Sequence, residues 1–389
     1  MTVAAVTPVR FRERFPVFDR LIFLNSCSKG ALSLAVEDAY RRYLDSWKNE
    51  GSPWDEWVSA LEKLRTRFAR LVGASEDEIA VSFSASTAAA TVLSALSFPG
   101  ERNRILVPDF DFPTMVYNWL AQERRGAEIV RIRARGDRLD PEAYLDELDE
   151  RVRLVTLAHV CFRNGFRQDV ESIAASARAR GAYAFVDDYQ STGTRPLDVK
   201  KMGCDFLVTG ALKYLLGSSG LAFLYVRREL AEELEPLVTG WFGQERPFDF
   251  DIERATFHAS ARRFESGTPP VPNLYAGLAG LEVLGEIDPG EIQRHVEALA
   301  SALIEGASAR GFAVVTPREP ESRGPLVVLS CRDAGRLVDE LRKENIVVSA
   351  RGSGLRVSFH YYNVPEDVEA LFRVLDRHEG LVARDSDRR

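Results

Sequence analysis

Between residues 78 and 227 the chain repeatedly returns to short apolar runs that end at turn residues: EIAVSFSAS, RILVPDFDF, AEIVRIRA, VRLVTLAHV, AYAFVDD, FLVTG and LAFLYVR. Runs this continuous read as strands buried on both faces, and their alternation with helices of ordinary length predicts a parallel or mixed sheet covered by helices on both sides. TAAATVLSALSF supplies the helix that follows the first strand. Two longer helices precede it, SLAVEDAYRRYLDSWKNE and WDEWVSALEKLRTRFARLVG, the second closed by Gly73. After SGTPPVPNLYAGLAGLEVLGEI the pattern changes. A long helix is followed by FAVVTP, LVVLSC, the helix AGRLVDELRKEN, IVVSA, LRVSFHYY and a final helix, VPEDVEALFRVLDRHEGL. The expected organisation is an N-terminal arm (1–20) packing with the small domain, a large α/β domain (21–285) and a small C-terminal α+β domain (286–389). The charged end, ARDSDRR, is expected to fray.

A chain of 389 residues, 45% of them hydrophobic, can fill such a core. The net charge of -7 and the absence of a Lys/Arg stripe argue against nucleic acid as a partner. Pro8, Arg10, Arg12 and Pro16 interrupt the first residues before a secretion signal or membrane span can form. The four cysteines and five histidines show neither CxxC pairs nor metal-ligand spacing. A reducing, cytoplasmic setting without a structural metal is expected.

The run AYAFV ends on two carboxylates, Asp187 and Asp188, where open α/β sheets bind ligands. The next strand, CDFLVTG, leads into ALKYLLGSSG, which places Lys213 on the same sheet edge. A half-buried amine is costly unless used, and its use is Schiff-base formation with a carbonyl. Pyridoxal phosphate needs such a lysine, an anion at its ring nitrogen, a donor near its ring oxygen and a phosphate cradle. Asp187 fits the anion and Gln190 the donor. Ser86 and Thr87 stand at a strand-to-helix junction where a helix N-terminus favours phosphate. Asp188 is then read as a turn or surface residue.

These residues, in this order, resemble the class V aminotransferase group of pyridoxal-phosphate enzymes, which includes cysteine desulfurases, selenocysteine lyases, kynureninases and isopenicillin epimerases. The likeness runs from FLNSCSKGALS to LRVSFHYYNVPEDVEAL. It implies the aspartate-aminotransferase type of fold, fold type I, with a large mostly parallel sheet domain and a small C-terminal α+β domain. FPTMVY, HVCFRNGFRQDV and GWFGQ are similar to kynureninase segments, and the first implies that Phe112 lies over the cofactor ring. VDDYQ and FESGTPPV look more like desulfurases, which implies that Thr268 reaches the phosphate of a neighbouring subunit in a homodimer. LRVSFHYYN matches the segment whose arginine holds the substrate α-carboxylate, here Arg356, and a guanidinium suits that bidentate task. Cys27, His159 and Arg163 are further candidates on the substrate side, and Trp241 at the phosphate end.

Departures from both subfamilies are equally specific. VVSARGSGLRV lacks the nucleophilic cysteine that persulfide-forming desulfurases carry there, and Cys331 reads as a core residue. Met115 stands where kynureninases have an acid, and Leu212 where an aromatic adjoins the lysine. The expected function is that of a lyase acting on an amino acid through a Cα carbanion, by β-elimination or C–S/Cβ bond cleavage. Transamination is the alternative, and an epimerase or a non-catalytic cofactor-binding protein the second one.

Overall fold

The computed structural model describes residues 6–98 and 100–388. Its first strand, β1 (Ile22–Phe23), stands apart from a seven-stranded sheet built by β2 (Ile79–Ser82), β3 (Arg104–Pro108), β4 (Glu128–Ile132), β5 (Val152–Ala158), β6 (Tyr183–Asp187), β7 (Phe206–Gly210) and β8 (Ala222–Val226). The order is β2-β8-β7-β6-β5-β3-β4, and only β8 runs against its neighbours. The inner strands are mostly apolar because alternate residues feed two cores. Val155, Val186 and Leu207 enter one, and Leu154, Phe185 and Val208 the other. The carboxyl ends of β2, β3, β5, β6 and β7 therefore open on one edge.

A second sheet joins β9 (Leu326–Ser330), β11 (Ser349–Arg351) and β12 (Gly354–Ser358), antiparallel in the order β11-β12-β9, while β10 (Ile346–Val347) pairs with β1. FAVVTP, expected as a strand, forms only isolated pairings. The ladder gives out because Val328 N donates to the hydroxyl of Thr316 instead of a backbone carbonyl. The helix expected from Thr87 starts at Ala85, since Ser84 caps it by accepting from Thr87 N. The C-terminal tail does not fray within the described residues. Asp385–Arg388 forms a helical turn, and Asp387 pairs with Arg332 at 2.8 Å. No helix among the described residues is long and apolar enough to cross a membrane.

The start of the chain binds the two sheets together. Residues 1–5 of the expected arm lie outside the described residues. Phe11 and Phe15 are fully buried against Tyr361 and Tyr362, and Arg12 pairs with Asp367 at 2.8 Å. The chain then crosses to the large sheet. Cys27 N donates to Ser358 Oγ (2.8 Å), and Gly30 N to Leu212 O (2.8 Å). A Cβ on Gly30 would come within 2.3 Å of Lys213 O, so only glycine permits this approach.

Segment 260–268, which carries Thr268, is held by a buried ion pair. Arg65 Nη1 donates to Glu265 Oε1 (2.6 Å) and Ile79 O (2.7 Å), and Val81 N donates to the same Glu265 oxygen (2.8 Å). Removing one member leaves the other charged and buried, which costs roughly 3–5 kcal/mol. Glu265→Ala is accordingly expected to lower the midpoint of urea unfolding, with Arg65→Met added to Glu265→Leu recovering part of the loss. A Glu265→Ala midpoint equal to that of the parent would refute this account of the segment.

Candidate active site

A cleft of about 260 Å³ occupies the shared carboxyl edge. Ser84, Ala85 and Ser86 approach it from β2, Phe110 and Phe112 from β3, and Val160 and Phe162 from β5. Asp187, Tyr189 and Gln190 come from β6, Lys213 from beyond β7, and Ser28 from the crossing segment. Strand order alone brings these distant stretches of sequence together.

Burial dominates the electrostatics of the cleft. It pushes the Asp187 carboxyl up to about 6, against the pull of a backbone donor, Tyr189 N (3.0 Å), and of Lys213. It pushes the Lys213 amine down to about 8, opposed by the charge of Asp187. The amine sits 4.3 Å from the centre of the Tyr189 ring and 6.0 Å from that of Phe112. Tyr189 itself fits only because residue 210 is glycine, since a Cβ there would overlap the phenol hydroxyl.

Arg356 comes from the second sheet and is almost fully buried. Its Nη2 donates to Ser28 Oγ (3.0 Å), its Nη1 to Phe162 O (2.9 Å), and its Nε to Ser349 Oγ (3.2 Å). Among the described residues no carboxylate pairs with it, so this buried guanidinium is left for an anion from outside the chain. Gln190 Nε2 donates to Cys27 O (3.1 Å), which leaves Oε1 buried at the cleft wall without a partner.

The structure thus brings Ser86, Phe112, Asp187, Gln190 and Lys213 to one cleft, with Arg356 behind Ser28. Other expected residues lie elsewhere. Thr87 spends its N–H and hydroxyl on Ser84 at the helix cap and does not line the cleft. Cys27 turns inward toward Val160, Tyr214, Leu326 and Val328, and its neighbour Ser28 faces the cleft in its place. Arg163 points outward and donates to Asp109 O, because the turn closed by Gly165 delivers Phe162 to the cleft instead. Trp241 packs with Trp54 and Phe248, 5.6 and 5.4 Å between ring centres, away from Lys213. Thr268 is exposed and outside its own chain's cleft.

His159 and Asp188 correct each other. Asp188 is not a surface residue but fully buried, with Oδ1 2.5 Å from His159 Nδ1 and Oδ2 accepting from Thr192. His159 is occupied by that contact and lines a separate polar groove. Side chains alternate across a strand, so the second carboxylate necessarily faces away from the first. Among the contributors to the cleft that were missed are Ser28, Ser84, Phe162 and Tyr189. The last had a signal, an aromatic between two residues already assigned to the site.

The family model described as aminotransferase class-V matches residues 31–371. An uncharacterized aminotransferase, YcbU, of Bacillus subtilis (strain 168) is 34% identical, covering 93% of this chain and 95% of that protein. The kynureninase of Bacillus anthracis is 30% identical over 94% of this chain and 90% of its own. Among solved structures, the cysteine desulfurase from Thermococcus onnurineus NA1 superposes with a TM-score of 0.86 at 22% identity, covering 98% and 100% of the two chains. The cystine C-S lyase C-DES in complex with cysteine persulfide gives 0.84 at 19%, covering 93% and 99%. Sheet order, a lysine beyond β7 and a carboxylate ending β6 define a pyridoxal-phosphate enzyme of fold type I. The chain belongs to the class V aminotransferase family.

The opposition between burial and Asp187 has a measurable sign. Asp187 favours the ammonium form of Lys213, so removing its charge lowers the amine further. In cofactor-free protein, acylation of Lys213 followed by peptide mass mapping is expected to rise with an inflection near pH 8. Asp187→Asn shifts the inflection downward. An inflection that stays put or climbs in that variant would show that the two groups are not coupled.

Proposed function

We propose that the enzyme is a lyase acting on an amino acid, breaking a bond at Cβ after removal of the Cα proton. One observation carries the binding of an amino acid and the removal of its Cα proton: a depressed lysine amine and a buried carboxylate line one cleft, and a buried guanidinium without an acidic partner stands behind Ser28 on its wall. The residues fit the cofactor, since the buried carboxylate of Asp187 and the amine of Lys213 share the cleft with hydroxyls at a helix N-terminus, and Gln190 Nε2, which gives one hydrogen to Cys27 O, carries a second to donate. Asp187 would hold the ring nitrogen, Gln190 would stand at the ring oxygen and Phe112 over the ring face. Ser84 and Ser86 would hold the phosphate at the N-terminus of helix Ala85–Ala95. When bound, pyridoxal phosphate supplies a carbonyl for the substrate amine and an electron sink for the Cα carbanion.

The chain's own groups do the rest. Arg356 would bind the substrate carboxylate through its unpaired charge and the N–H donors that now point at the hydroxyls of Ser28 and Ser349, which the carboxylate would displace. Lys213, with a pKa near 8, offers a neutral amine in the physiological range and moves the Cα proton. Phe110, Phe112 and Phe162 exclude water. All four cysteines are buried and the β11–β12 hairpin has none, so a leaving group would depart to solvent and not onto a loop thiol. Exposed Thr268, outside its own cleft, supports a homodimer in which it reaches the neighbour's phosphate. The 34% identity to a protein named as an aminotransferase favours transamination as the second reading.

Stopped-flow absorbance of the holoenzyme against a panel of amino acids, with assays for sulfide, pyruvate, alanine and pyridoxamine phosphate, separates the two. Lyase chemistry returns the cofactor to its starting spectrum with catalytic product. Stoichiometric keto acid with pyridoxamine phosphate would establish the transaminase instead. Lys213→Ala should lose covalent cofactor attachment and at least about 10²–10⁴-fold in turnover. Unaltered turnover in that variant would mean that Lys213 is not catalytic.

A further inference from the structure

The hairpin that carries Arg356 carries a second arginine. In the β11–β12 pair, Ser349 lies opposite Arg356, Ala350 opposite Leu355, and Arg351 opposite Gly354. Directly opposed residues share a face, and so do residues two apart along a strand. Arg351, Ser349 and Arg356 therefore lie on one face of the hairpin, with Arg351 diagonal to Arg356. Gly354, the residue facing Arg351, has no side chain to cover it. A Cβ there would lie 2.7 Å from Val328 Cγ1, so the position admits nothing larger.

This face is turned toward the site. Arg356 donates to Ser28 on the cleft wall, and Val328, opposite Arg356 on β9, packs with Cys27 and Tyr214 beside Lys213. Arg351 is close enough to the site that its charge acts on Arg356 and on Lys213. Among the described residues its side chain has one hydrogen bond, from Nη1 to the carbonyl of its neighbour Ala350 (2.8 Å). Neither arginine has a carboxylate partner among the described residues. Buried Arg356 and exposed Arg351 thus present two guanidiniums on one face of the hairpin, within electrostatic reach of Lys213. Like charges so placed repel one another unless an anion lies between them, and an arginine fork suits a planar carboxylate.

We infer that Arg351 forms a subsite for a second anionic group, so that the substrate is an amino acid whose side chain ends in a carboxylate or a comparably small oxyanion. Arg356 takes the α-carboxylate and Arg351 the distal acid. The inference rests on the assignment of Arg356 to the α-carboxylate. It gives the hairpin that lacks a thiol a different task, the selection of acidic side chains.

Calorimetric titration of the holoenzyme at fixed ionic strength with non-reacting acids tests this without turnover. The probes are propionate and butyrate against malonate, succinate and glutarate. At least one dicarboxylate is expected to bind about tenfold or more tightly than the monocarboxylates, a difference of about 1.4 kcal/mol. Arg351→Gln should erase that excess and leave monocarboxylate binding in place. Dicarboxylates that bind no better than monocarboxylates would overturn the inference, as would an excess that survives in Arg351→Gln or a loss of both classes in it. Arg356→Gln should weaken both classes. If it weakens neither, or if no probe binds, the assignment of Arg356 fails and the subsite with it. If Arg356→Gln behaves as expected and Arg351→Gln changes nothing, only the subsite fails.

Discussion

The site depends on keeping an amine and a carboxylate together out of water. Burial penalises the charged form of each, raising Asp187 and lowering Lys213, while their mutual attraction favours the charged forms. Such a balance holds only if neither side chain can retreat to solvent. Adjacent parallel strands provide that constraint. Asp187 ends β6 in register with Val208 of β7, and Lys213 follows where the chain leaves β7 and folds back toward β8. That return is tight. Ala211 N donates to Leu221 O, Leu216 N to Lys213 O, and Leu216 adopts φ of 58° although it is not glycine. Leu216 is almost fully buried, so packing holds a conformation the isolated residue would avoid. The turn that aims the lysine is thus stabilised from behind by the hydrophobic core.

The second sheet matters because it supplies the guanidinium. Arg356 could not stay buried without a counter-ion unless its N–H groups were largely satisfied, and the two sheets share that work through Ser28, Phe162 O and Ser349. His360 reinforces the junction. Burial pushes its imidazole down to about 4, and the neutral ring uses both nitrogens, Nε2 donating to Tyr214 O and Nδ1 accepting from Tyr361 N. The residue next to Lys213 in the β7 loop is thereby tied to the segment that follows β12. Relative movement of the sheets would disturb lysine and arginine together.

What the sequence made legible follows from this geometry. Strand ends are visible in sequence because apolar runs stop there, so Asp187 and Lys213 could be read directly, and the fold with them. Arg356 came through family resemblance, since nothing in LRVSF itself says that its arginine will be buried unpaired. The misassigned residues share a physical cause. Thr87, Asp188 and Cys27 each sit one position from a residue that does face the cleft or its floor, and facing depends on strand parity and on the helix start. That start was misplaced because Ser84, not Ser86, makes the cap. Glycine positions were opaque for another reason. Gly30 and Gly210 are fixed by close approach to Lys213 O and Tyr189, contacts between segments far apart in sequence.

Asp111 shows how far the charge arrangement extends beneath the cleft. It is buried, with Oδ2 accepting from Thr156 Oγ1 (2.8 Å) and Trp119 Nε1 (2.9 Å), and its Oδ1 has no partner. Burial pushes its pKa up to about 7, and the charge of Asp187 pushes in the same direction. The charge of Asp187 thus favours the protonated form of Asp111, while Lys213 favours the charged form of Asp187. Asp188 turns to the opposite side of the strand, toward His159, and its charge still adds to the rise at Asp187. The DFDF and VDD segments thus bring four carboxylates to the carboxyl ends of β3 and β6, and the fold keeps one of them, Asp187, on the wall of the cleft, with Asp109 paired to Arg131 at 3.2 Å.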